Sequence, residues 1–349
     1  MKMKKSVLCL LAVALIVLVN ACGGGSEGDG PDPSEKGLVF SVDKDTIYKS
    51  GDDKAVFTVK YDGVDVTSKS RIFERTSEKF LDGNEFGTTK LGEFVFTAEY
   101  QGEVSQEIKI ASVEEEYYQA NLLLFHFTST YCMNCPRMIY SINAAREKAP
   151  GRLIKISFHG PMEGDDPMQL KPYAEPLMKK FNCYLTYPVG VLNGVRWWNE
   201  AKGFEDMQSF LPDKTDIGVA LTTRIEGDKA YIDMKVKTMR IYDKSCRVAV
   251  VLVENGLNYE QLQDDLSWDK TYIHDDVVRR YLTDVLGDPL EEGELKVAKL
   301  LTKSYTYDIS PLLVRDEVDV VAYIMKNDGT VLNCTRVKLG KSVDFQEIE

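Results

Sequence analysis

The sequence predicts a multidomain protein in which two all-β domains flank an α/β domain. Three patterns predict it: period-two alternation from Gly37 to Ser112, alternating strand and helix patterns between Tyr117 and Lys214, and a return of strands beyond Asp216. With 349 residues, 44% of them hydrophobic and 28% charged, the chain is long enough for two or three domains of about 100–200 residues.

The chain opens MKMKKSVLCLLAVALIVLVNAC, with Lys2, Lys4 and Lys5 ahead of an apolar run from Val7 to Val19. That run falls short of the roughly 20 residues a spanning helix needs and has the form of a signal peptide, assigned to residues 1–21. Val19 and Ala21 before Cys22 resemble a bacterial lipobox. The resemblance implies that Cys22 carries a diacylglyceryl thioether and becomes the mature N-terminus. Residues 22–36 are Gly-rich and acidic, without an apolar face, and read as a flexible tether. The expected location is therefore the cell envelope, lipid-anchored, at the outer membrane. The formal net charge of −12 becomes −15 once the three leader lysines are removed. So acidic a chain argues against nucleic-acid binding and against electrostatic docking on anionic lipid, leaving the N-terminal lipid as the membrane contact.

Residues 37–113 form the first predicted β domain. AVFTVKY puts Ala55, Phe57, Val59 and Tyr61 on one face, and EFVFTAEY does the same with Phe94, Phe96, Ala98 and Tyr100. Turns at Ser50-Gly51, Asp62-Gly63, Asp82-Gly83 and Gln101-Gly102 make this a small antiparallel sandwich. YDGVDVTSK followed by LGEFVFTAEYQGEVS resembles bacterial immunoglobulin-like repeats, which implies a spacer or docking module.

In residues 117–214, LLLFHFTST reads as a strand covered on both faces and is followed by a helix carrying Met138, Ile139, Ile142 and Ala145 to about Lys148. RLIKISFH is the next strand. A second helical stretch, Met168 to Asn182, is interrupted by Pro172 and Pro176, then YPVGVLNG and VRWWN form a strand pair and GFEDMQSFL a short closing helix. This order is thioredoxin-like. Residues 216–349 return to strands, with hairpin turns at Glu226-Gly227-Asp228 and Asn327-Asp328-Gly329. They read as a β-sandwich-like domain with a partly helical or irregular insertion at 256–300.

Two cysteines, Cys132 and Cys135, sit between the first strand of the α/β domain and its helix, separated by Met133 and Asn134. In an oxidising compartment the pair can close, but so small a ring gains little from loop entropy, so it makes a poor staple. As a redox pair the spacing is apt, because a thiolate at a helix start is stabilised by the helix dipole and a second thiol one turn inward can resolve the mixed disulfide. Cys132 is the expected nucleophile and Cys135 the resolving thiol. Pro188 stands where thioredoxin-like proteins carry a cis-proline, so Tyr187 is expected to offer its backbone to a client, beside Met133 and Asn134. His126, six residues before Cys132, is a candidate for moving the resolving thiol's proton, and the alternative is a strand histidine bonded to backbone. His159, ending its strand, is either a substrate contact or a loop-lining residue. Cys183 is expected in the core, and Cys246 and Cys334 are a candidate pair. No metal and no cofactor are expected. A structural zinc site needs more than one such pair, Pro136 stands where haem attachment needs His, and copper on Cys132, Cys135 and His159 is the minority alternative.

FTSTYCMNCPR, SFHGPMEGDDP, YPVGVLNG and YIHDDVVRRYL occur in the order in which they resemble the 28-kDa outer-membrane lipoprotein family of Bacteroidetes-type bacteria, from about Ala120 onward. That resemblance implies location more than reaction, and the family usually has an acidic residue at the place of His126. The functional expectation is thiol–disulfide exchange with envelope protein thiols or disulfides. The alternative is a non-catalytic binding or structural lipoprotein built on the same scaffold.

Overall fold

The computed structural model describes residues 36–348 apart from Ile241, Asp243–Ser245 and Glu292. The leader, Cys22 and nearly all of the tether lie outside the described residues. The chain is mostly β, 46% strand against 12% helix, and divides into two compact units.

The smaller unit takes in the segment ending at Asp43 together with Val56–Glu85 and Val95–Ile108. Leu38–Val42 pairs antiparallel with Ala55–Tyr61, and Arg71–Glu74 with Gly92–Tyr100. The alternation read from sequence is realised: Phe57, Val59, Phe96 and Ala98 are all fully buried, and the Phe57 and Phe96 rings lie 4.8 Å apart.

The larger unit holds Lys44–Ala55, Phe86–Phe94 and everything from Lys109 onward. One strand pair in it is not antiparallel as the sequence suggested: Thr46–Tyr48 runs parallel to Ile108–Val113. Its backbone is a nine-stranded sheet in the order Arg196–Trp197, Val189–Leu192, Leu122–Thr128, Leu153–His159, Val277–Tyr281, Cys246–Glu254, Val318–Lys326 and Val331–Lys338, with Asp288–Pro289 beside Cys246–Glu254. The 122–128 strand is parallel to 153–159 and antiparallel to 189–192, which is antiparallel to 196–197. The sheet continues across Asp216, because 153–159 pairs with 277–281 at Ser157 and Val277.

Helix α1, Cys135–Lys148, covers one face of the first strands and α2, Lys171–Lys180, the other. Strand alternation decides what each helix meets. Leu122, Leu124 and Leu153 pack with Met138, Ile142 and Ala145 on the α1 side. Leu123, Phe125, Phe127, Ile156 and Phe158 pack with Ala174, Leu177 and Met178 on the α2 side. Each of the Leu, Ile, Phe and Met side chains among them stabilises the fold by about 1.5–3 kcal/mol through burial. Strands 246–254 and 318–326 divide likewise: Ala249, Val251, Val253, Val321 and Tyr323 join the α2-side core. Val248, Val250, Leu252, Val320 and Ala322 face a second, four-stranded sheet built on the Ile217–Glu226 and Lys229–Thr238 hairpin.

Three expectations need correction. The described residues of the 256–300 insertion contain no helix, only short strands and turns. Helix α1 starts at Cys135, not Cys132, with Pro136 in its first turn, where a missing N–H costs nothing. Cys246 and Cys334 do not pair, because they belong to opposite cores, Cys246 facing the four-stranded sheet and Cys334 the α2 side, where its thiol is free. Cys183 is in the core as expected, and burial pushes its thiol up to about 12. The YPVGVLNG motif has a packing reason at Gly194, which adopts φ +69°: a Cβ there would lie 2.2 Å from the Gly329 carbonyl oxygen.

Candidate functional site: a covered disulfide beside a polar cavity

The 122–128 strand delivers its chain into Ser129–Tyr131 and then Cys132. The Cys132 N–H donates to the Ser129 carbonyl at 3.1 Å, and the Cys135 N–H to the Cys132 carbonyl at 3.1 Å, so the two cysteines form one tight turn ahead of α1. Their sulfurs are joined in a disulfide, with Cα atoms 5.4 Å apart. Cys135 is fully buried, Cys132 is 4% exposed, and Asn134 is exposed. The Tyr187–Pro188 bond is cis, as expected. Val189 lies opposite Phe127, so Pro188 falls in register beside Thr128, three residues before Tyr131. The Tyr187 hydroxyl donates to the Pro161 carbonyl at 2.9 Å, and burial raises its pKa.

The disulfide turn is covered by the 256–300 insertion, an arrangement that counts against exchange. Gln261–Leu262 pairs with Trp268–Asp269 in a small hairpin of the insertion. The Gln261 side-chain amide, fully buried, reaches the carbonyls of Ser129 at 3.3 Å, Thr130 at 3.0 Å and Cys132 at 3.1 Å, and the Leu262 N–H donates to the Thr130 carbonyl at 2.9 Å. Trp268 meets the Tyr131 ring edge-on at 5.1 Å. An exposed Cys132 thiolate, which exchange needs, is thus not what the fold presents: Cys132 precedes the first turn of α1, is 4% exposed, and has its carbonyl bonded by the hairpin.

Beneath α1 lies a second feature. His126, Thr128, Lys155, Ser157 and His159 alternate onto the α1 side of the sheet, where apolar packing gives way to a cavity of about 150 Å³ lined by Thr128, Lys155, Ser157, His159, Arg146 and His274. The chain's three histidines all gather here. His126 is fully buried, its Nδ1 3.2 Å from the Ser157 hydroxyl and its Nε2 without a partner. Burial first, then the charge of Lys155, hold its pKa well below the usual value, so the ring is neutral. His159 is 2% exposed and bonded through Nδ1 to Asp166 at 2.8 Å, which removes it from the open client-contact position expected of it. Asp166 also accepts from the Thr130 and Met168 N–H groups. Against the opposing cost of burial, the His159 bond first and then these two backbone bonds draw its pKa down to about 2. His274 bonds the Tyr259 carbonyl at 3.2 Å, and burial lowers its pKa to about 4.

Lys155, 2% exposed, is held by Asp276 at 3.1 Å, and Arg146 approaches the same carboxylate at 2.9 Å. Arg336 pairs with Asp276 and with Asp319. Asp276 is therefore a buried anion between three cations, and its pKa falls far below the carboxylate range despite burial. Among the described residues no three His, Cys, Asp or Glu side chains converge on a metal position.

Residues 176–343 match the family model described as outer membrane protein Omp28. Among solved structures the chain is similar to HBP35 of Porphyromonas gingivalis, with a TM-score of 0.52 and 17% identity, over 64% of this chain and 76% of that one, a likeness of fold. A domain of the outer membrane lipoprotein Omp28 from Porphyromonas gingivalis aligns at 18% identity over 36% of this chain and 90% of that one, with a TM-score of 0.26. No curated protein matches the chain. The family is one of outer-membrane proteins, in agreement with the envelope location expected from the leader and Cys22. Residues 176–343, just under half of the chain, are thus similar to the Omp28 outer-membrane family, and YPVGVLNG and YIHDDVVRRYL fall inside that match.

Proposed function

We propose that the chain is an envelope protein, held to the outer membrane by a lipid on Cys22 and the 22–36 tether, in which residues 117–214 are a thioredoxin-like domain performing thiol–disulfide exchange on envelope proteins. In this reading residues 37–113 are an immunoglobulin-like spacer, and residues 216–349 supply the strands that continue the sheet of the exchange domain. The observation that carries it is the disulfide held at the join of strand 122–128 and α1, with Cys132 the less buried sulfur.

In the exchange, a client thiolate attacks the Cys132 sulfur, the Cys132–Cys135 bond breaks, and Cys135 leaves as a thiolate. A second client thiolate attacks its partner sulfur in the mixed disulfide and releases Cys132. Two electrons pass from client to protein, and the client's two thiol protons end on Cys132 and Cys135. The reverse sequence reduces a client disulfide. The start of α1 stabilises the departing thiolate, and Tyr187, Met133 and Asn134 are the candidate client contacts. His126 is the candidate for moving the resolving thiol's proton, although burial holds its pKa well below the usual value and so weakens it as a base.

Insulin reduction with dithiothreitol as electron source tests this. The wild-type chain is expected to accelerate the reaction and Cys132→Ser to return it to the uncatalysed rate. Equal rates for the two would overturn the proposal. The rival, a binding or structural lipoprotein, is favoured by one observation, the hairpin lying over Cys132.

A further inference from the structure

The hairpin contacts the disulfide turn as an extended polypeptide would. Its backbone gives one N–H, that of Leu262, to the Thr130 carbonyl, and the preceding side chain spends its amide on carbonyls flanking and including Cys132. Its arms continue through the Tyr259 N–H to Tyr272 carbonyl bond into the Leu257–Asn258 and Ile273–His274 pair, a two-stranded ribbon that among the described residues joins no larger sheet, and such ribbons are marginal in water without further contacts. Its tip is open, with Leu266 68% exposed. At its base the arms are anchored by the Leu257–Asn258 and Ile273–His274 pair, with Leu257 buried, and over the disulfide turn it is held by the bonds to the Ser129–Cys132 carbonyls and the Trp268–Tyr131 contact.

We infer that Gln261–Trp268 is an internal stand-in for a client: it occupies the carbonyls that an extended protein segment would bind, and the disulfide reacts with protein thiols only when that segment is displaced. The client chemistry follows from the stand-in: an extended backbone offering an N–H to Thr130, with a carboxamide side chain just before it and an aromatic residue within reach of Tyr131. This inference deepens the exchange reading and rests on it.

The test compares the full chain with Gln261→Ala and Gln261→Ala/Trp268→Ala, measuring how fast dithiothreitol reduces Cys132–Cys135. The dithiol gives up two electrons and two protons and closes to its cyclic disulfide. Loss of the covering bonds is expected to raise the rate by about tenfold or more in the double variant. An unchanged rate in a variant whose urea midpoint shows it folded would overturn the inference. If the variants do not fold, hydrogen exchange on the wild-type chain decides. The Leu262 amide is expected to exchange through local opening, faster than the core amides of strand 122–128. Exchange of Leu262 only with global unfolding overturns the inference. A released variant that reacts faster with dithiothreitol yet shows no activity on insulin would support the covering role and sink the exchange reading.

Discussion

Replacing Asp276 with leucine is expected to cost about 3–5 kcal/mol of unfolding free energy, because it strands a buried ammonium. Lys155 is 2% exposed and its nitrogen is 3.1 Å from the Asp276 carboxylate. Arg146 and Arg336 are roughly a quarter exposed and can turn toward water when the carboxylate is lost, whereas Lys155 cannot. Urea unfolding followed by far-UV circular dichroism measures the loss. The double change Asp276→Leu/Lys155→Met is expected to recover a substantial part of it, since removing both charges also removes their desolvation cost. A single variant as stable as wild type would show that Lys155 is not sealed from solvent.

Acid is expected to destabilise the fold in two steps with separate causes. His274 has its pKa lowered by burial from 6.5 to about 4, so the unfolded chain takes up a proton that the folded one refuses. Its contribution is complete above pH 6.5 and is lost as pH falls from there toward 4, up to about 3 kcal/mol. Asp166, lowered from 3.8 to about 2, adds stability above pH 3.8 that is lost as pH falls toward 2. The readout is the urea midpoint between pH 7.5 and 4.5. His274→Asn, which has no proton to gain, should shrink the first step and leave the part due to His126, whose pKa burial also holds below the usual value. A wild-type midpoint that does not fall across this range would contradict the buried, neutral imidazole.

Much of the local structure was legible because single strands and helices announce themselves by period. LLLFHFT and LIKISFH gave continuous strands, and Met138, Ile142 and Ala145 gave the face of α1. The joining of the strands into one sheet was not anticipated, although a signal existed. VAVVLV in 246–254 and VVAYIM in 318–326 do not alternate, as the strands of a free-standing sandwich with one wet face should, and near-continuous apolar strands are covered on both sides. The polar cavity also left a trace, since Lys155, Ser157 and His159 recur at every second position and so share a face. Gln261 left none, and Asp276 and His274 appeared only inside the YIHDDVVRRYL motif, with no role attached to either. They reach the site from more than 100 residues away in sequence, through turns such as that at Asp276, which adopts φ +62°. The start of α1 was misjudged because the sequence pattern marks which residues face the core, whereas the first helical hydrogen bond depends on the turn that Cys132 and Cys135 close.

The central claim, that Cys132 is the sulfur through which this protein exchanges disulfides with others, is tested most directly by trapping. A Cys135→Ser chain expressed with its own leader lacks the resolving thiol, and mixed disulfides formed at Cys132 should persist. Non-reducing electrophoresis of envelope fractions is predicted to show adducts that dithiothreitol dissolves and that vanish in Cys132→Ser/Cys135→Ser. A Cys135→Ser chain that runs only as free monomer, or adducts that survive the loss of Cys132, would contradict it.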